Sequence, residues 1–174
     1  MQEGRDFLRA QVNNAIMMHR TMLDNIESHA KQAEDRRFAE LCQRHLPRLQ
    51  EHQQMLEQYG QAIGAEGKKG LKKAMGAALG VARDAADAMR ESDFLRIVGD
   101  VVQMRQAQDT FGTFAAVGDQ IGEPQLAEIG RQGERDHEQM QREFNQLTHQ
   151  LFIDQYGGAA MAGAGAGAGV TGRH

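Results

Sequence analysis

Glu134 and His137 stand three residues apart in the stretch Glu-Arg-Asp-His. On a helix they leave the backbone about one turn apart and project together, the spacing of the Glu-x-x-His pair that helical bundles use to hold metal ions. Other polar residues interrupt apolar stripes in the same way. The series Leu8, Val12, Ile16 arrives at His19 before Leu23 and Ile26, and Phe38, Leu41, Cys42 leads through His45 and Leu49 to His52 before Leu56 and Tyr59. Val98, Val101 and Met104 lead to Gln108, then Phe111 and Ala115; Leu126 and Ile129 lead past Gly133 to His137, then Met140 and Phe144.

His19, His52, Gln108 and His137 each fall near the middle of their segment, so antiparallel packing brings them to a common level. His45, two turns from His52 or roughly 10 Å along the axis, belongs to another layer. His29 and His149 read as surface residues, and His174 carries no signal. An imidazole buried without partners costs about 1–3 kcal/mol, so a cluster implies mutual hydrogen bonds, water or a metal. Two readings stay open. In one, His19, His52, Glu134 and His137 bind iron or another divalent transition metal, imidazole suiting Zn, Fe, Ni or Cu. In the other, His19, His52, Gln108 and Glu134 form a metal-free network with Arg48 or Arg105, in a structural or protein-interaction bundle. Arg48, close to His52, would repel a cation there.

Four long amphipathic helices must position these groups. The first runs from about residue 4 to 33; "AEDRR" breaks it, and the second carries the stripe from Phe38 to Ile63 with Pro47 as an expected kink. "GAEGKKG" opens a connection that holds a small-residue helix from roughly Leu71 to Met89. Ser92 or Asp93 caps the third helix, "IGEP" ends it, and Pro124 suits the first turn of the fourth. The resulting class is all-α, a ferritin-like four-helix bundle (1–156) with a short helix in the long crossover between helices two and three. After Tyr156 comes a Gly/Ala low-complexity segment (157–174), which reads as a flexible tail.

A chain of 174 residues supports one domain with a real core. Trp is absent, there are only two prolines, and the alphabet of Ala, Leu, Met, Gln, Glu and Arg favours helix over strand. The net charge of -4 gives no global reason to expect nucleic acid, and the cluster Lys68, Lys69, Lys72 and Lys73 reads as a solvated helix start. The single Cys42 cannot form an internal disulfide and lies on an apolar stripe, as a small hydrophobe. No run approaches the roughly 18 apolar residues of a membrane span, and a cytoplasmic location is expected. No Ser or Cys nucleophile constellation is present, and the paired histidines at i and i+4 on several helices that a hemerythrin-like site needs are missing.

The stretches "HLPRLQEHQQMLEQYGQAIG" (45–64), "GLKKAMGAALG" (70–80) and "FGTF" (111–114) resemble the second helix, crossover helix and third helix of the bacterial YciF/YciE-type ferritin-like proteins, associated with stress responses. The resemblance covers about residues 5–152. It implies a bundle with a carboxylate- and histidine-rich di-metal centre, and a homodimer or other homo-oligomer. Carried over position by position, a first-helix glutamate falls on His19 and a second-helix acidic residue on Arg48. A third-helix Glu-His stretch falls near Met104, Arg105 and Ala107, and only Glu134 and His137 keep ligand chemistry in the fourth helix. A ferroxidase centre needs about six ligands. This chain therefore points to a mononuclear or reduced binuclear site.

Overall fold

A computed structural model describes residues 2–65 and 92–167, with side-chain exposure through 158. The described residues form four helices and no strand: α1 (Gln2–Gln32), α2 (Arg36–Ala62), α3 (Asp93–Ile121) and α4 (Pro124–Gly167). The expected crossover helix and the lysine cluster at 68–73 lie outside the described residues.

Local chemistry sets the helix ends. Asp35 caps α2 by accepting from the backbone N–H of Arg37 and Phe38, and Ser92 caps α3 by accepting from Leu95. Gly122 closes α3 in the left-handed conformation at φ 74°, where a side chain would be strained, and Pro124 then starts α4. Helix α2 runs on through Pro47. The change of composition at Tyr156 is not a helix end. Helix α4 continues to Gly167, across a stretch whose alanines offset the poor propensity of its glycines.

The pairings give the topology. Gln53 bonds His19 and Gln43 bonds the Ala30 carbonyl, so α1 and α2 are antiparallel. Asn25 bonds Gln103 and His29 bonds Asp100, so α1 and α3 are antiparallel as well. His45 with Glu143 and His52 with Asp136 set α2 against α4 in the same sense. Hence α2 and α3 run parallel, and the chain leaves α2 at one end of the molecule and enters α3 at the other. This arrangement is compatible with a four-helix bundle that has a long connection between its second and third helices.

Helices α3 and α4 approach most closely, because glycine faces backbone along their seam. A Cβ on Gly118 would lie 2.5 Å from the Ala127 backbone nitrogen, and one on Gly130 would meet the backbone of Ala115. Gly133 likewise leaves room for the Phe111 ring. The apolar core divides into two clusters. One gathers Met22, Leu49, Met104, Met140 and Phe144, and the other Ala15, Leu56, Phe111, Phe114 and Ile129. On α1, α2 and α4 a buried histidine stands where the helix passes from one cluster to the other.

Candidate metal centre

Those crossing residues are His19 on α1, between Ala15 and Met22, His52 on α2, between Leu49 and Leu56, and His137 on α4, between Gly133 and Met140. Their exposures are 3%, 0% and 0%, and one ring nitrogen of each lies within 4.8 Å of the others. The ring centroids are 6.2 Å apart for His19 and His52, 5.4 Å for His19 and His137, and 5.0 Å for His52 and His137. Phe111 packs against all three, at 5.8, 5.6 and 4.9 Å.

Each ring is held from behind by an oxygen. His19 Nδ1 donates to Gln53 Oε1 at 2.9 Å, His52 Nε2 donates to Asp136 Oδ2 at 2.9 Å, and His137 Nδ1 donates to the Gly133 carbonyl at 2.8 Å. None of these oxygens can donate, so the proton of each neutral ring is fixed on the bonded nitrogen. The Gln53 amide is itself oriented, since its Nε2 donates to Glu57 at 2.7 Å and Arg20 pairs with Glu57. Arg48 lies beside Asp136 at 3.5 Å, on the outer side of the layer, and also pairs with Glu51.

The opposite nitrogens, His19 Nε2, His52 Nδ1 and His137 Nε2, are buried and have no hydrogen-bond partner. Among the described residues the only other buried side-chain N or O atom without a partner is Gln108 Oε1. The α3–α4 register that sets Gly118 by Ala127 and Ala115 by Gly130 continues to Gln108 alongside His137. Four buried acceptor atoms without a hydrogen-bond partner therefore fall at one level of the bundle. Burial holds His19 at a pKa of about 4, below the ordinary 6.5, against the opposing effect of its hydrogen bond to Gln53. Burial does the same to His52 and His137, both held at about 3, with the neighbouring imidazoles lowering them further. The rings are neutral at physiological pH, the form that ligates metal.

An imidazole–metal bond of about 2.0–2.1 Å in a tetrahedral site separates nitrogens by roughly 3.3 Å. Small ring rotations would bring the three lone pairs to that distance. The arrangement can hold a divalent cation through three neutral donors, each oriented by an outer acceptor.

Glu134 lies elsewhere. Its carboxylate sits against α3, where a Cβ on Gly112 would be 2.7 Å from Oε1, and it is not part of the converging group. Three residues of helix turn a side chain by about 60° from its partner. At the crowded α3–α4 seam that rotation sends Glu134 to the interface while His137 points inward. Gln53 and Asp136 were not singled out by the sequence pattern. Both sit one position beside a histidine of the layer, Gln53 after His52 and Asp136 before His137, and each serves the ring of a neighbouring helix.

Other expected positions are also resolved. His45 is in a separate layer and bonds Glu143 at 2.9 Å. His29, expected at the surface, is partly buried and bonds the buried Asp100 at 2.9 Å. Arg105 points away from the layer and pairs with Asp109. Cys42 is fully buried, and burial pushes its thiol pKa up. Among the described residues no helix is long and apolar enough to cross a membrane. No family model matches the chain, and neither a curated protein nor a solved structure does.

Proposed function

We propose that this protein binds one divalent transition-metal ion at mid-bundle, through His19 Nε2, His52 Nδ1 and His137 Nε2. One observation carries the reading: three buried imidazoles turn lone pairs into a common space while their N–H groups are fixed outward. A hydrogen-bonded network, the alternative open in the sequence, would have to satisfy those three nitrogens, and none of them has a hydrogen-bond partner among the described residues. Imidazole donors suit zinc, iron, nickel and copper over magnesium or calcium. The parallel α2 and α3, the motifs at 45–64 and 111–114, and the mid-bundle position support a ferritin-like ancestry of the bacterial stress-response type, with the binuclear ligand set reduced to one ion.

The test is metal content after loading apo protein with each candidate ion, read by mass spectrometry. Close to one equivalent is expected for the wild type and less than about a tenth for His137→Ala. Wild-type protein that retains less than a tenth of an equivalent of every ion overturns the reading.

A further inference from the structure

The facing nitrogens His19 Nε2, His52 Nδ1 and His137 Nε2 are shut from solvent, and Phe111 packs from α3 onto all three rings. Among the described residues no carboxylate or thiol joins the group, and Glu134 faces α3 instead. Charge around the layer is balanced without an ion. Behind His19, Gln53 bonds Glu57, and Glu57 pairs with Arg20. Beside His52, Asp136 lies 3.5 Å from Arg48, whose other partner is the exposed Glu51. Arg20 lowers the His19 pKa and Glu57 raises it; Arg48 lowers that of His52 while Asp136 raises that of His137. Each carboxylate that reaches a ring is thus matched by a guanidinium, and neither is left to neutralise a dication.

We infer, building on the metal reading above, that the layer is selective for copper in its reduced form and holds Cu⁺ through three imidazoles more tightly than any divalent ion. Charge is the first reason. The cost of removing an ion from water grows with the square of its charge, so a dication loses about four times the hydration of a monocation of equal size. Three neutral rings in a buried layer, with their outer charges already matched, return little of that difference. Coordination number is the second. Zn²⁺ completes four ligands, whereas Cu⁺ is satisfied by two or three nitrogens in a plane, and three are what the layer offers. Of the metals that imidazole suits, copper is the one whose monovalent state is readily reached in water. Gln108 Oε1, a hard amide oxygen at the same level, is a poor partner for Cu⁺ and stays outside its coordination.

The experiment titrates the full chain, without oxygen, with Cu⁺, Cu²⁺, Zn²⁺ and Co²⁺ in turn, each against a chelator of known affinity. Cu⁺ should bind at one equivalent and at least about 100-fold more tightly than any of the divalent ions. X-ray absorption of the Cu⁺ form should count three nitrogen ligands and no fourth. Arg48→Gln leaves Asp136 unmatched and should narrow the preference roughly threefold, since one added negative charge favours a dication over a monocation. A merely structural role for Arg48 would move all the affinities together. Gln108→Leu should leave Cu⁺ affinity unchanged. Binding of none of the four ions defeats the metal reading itself. Divalent ions bound at one equivalent, with Cu⁺ held no more tightly, leave that reading intact and overturn this one. So does a sulfur ligand in the Cu⁺ spectrum, which would place the ion at Cys42 or a methionine, or loss of Cu⁺ in Gln108→Leu, which would make Gln108 a ligand.

Discussion

At the scale of single residues, three imidazoles share one condition: a fixed N–H on the outside and a bare lone pair on the inside. The outer acceptors set ligand geometry. Replacing Asp136 by Asn should weaken metal affinity by about 10–100-fold, because the ring of His52 loses its charged acceptor. Competition titration against a chelator of known affinity measures this directly. Burial of the rings also fixes how the apo protein responds to acid. His19, His52 and His137 have folded pKa values of about 4, 3 and 3, below their ordinary 6.5. As the pH falls below 6.5 the unfolded chain takes up protons that the folded chain refuses, so stability is complete above that pH and is lost progressively towards pH 4–3. The loss is up to about 1.4 kcal/mol per pH unit for each ring. Urea denaturation of metal-free protein between pH 7 and 5 should show that decline, and each single His→Leu variant should reduce the slope by about a third.

At the scale of elements, the glycines along α3 and α4 are not equivalent. Gly118 sits 2.5 Å, Cβ to nitrogen, from the Ala127 backbone, whereas nothing lies within 4 Å of a Cβ built on Gly99 in the same helix. Gly118→Ala should therefore destabilise the protein by at least about 2 kcal/mol, since backbone rather than a flexible side chain would have to move. Gly99→Ala should stabilise it by roughly 0.5–1 kcal/mol through helix propensity. Denaturant midpoints of the two variants, shifted in opposite directions, check both. The seam also shows why parts of the site were hidden in the sequence. Apolar stripes at 3- and 4-residue steps made the four helices legible, and the polar interruptions at 19, 52 and 137 made the layer legible. Whether Glu134 would share the inward face of His137 depended on how close α3 approaches, and that closeness comes from glycines whose partners are distant in the chain. Gln53 and Asp136 were hidden because each orients a ring on another helix, and no spacing within one helix encodes that pairing.

At the scale of the whole molecule, the proposed ion would sit in a layer that only the folded chain assembles. An ion that binds only the folded form stabilises it by about 2.7 kcal/mol at a free concentration 100 times its dissociation constant. For a chain of this size that is a rise of roughly 5–10 °C in Tm, measurable by calorimetry and expected to vanish in His52→Leu. The topology divides the proposed ligands unevenly: α1 and α2 contribute His19 and His52, while of the other pair only α4 contributes one, His137. Neither helical pair can complete the centre alone. If the chain were produced as two separate polypeptides, severed in the segment that joins opposite ends of the molecule, the ion would act as a clasp between them. Their association would then strengthen with added metal and dissolve on chelation, turning an intramolecular centre into a controllable join.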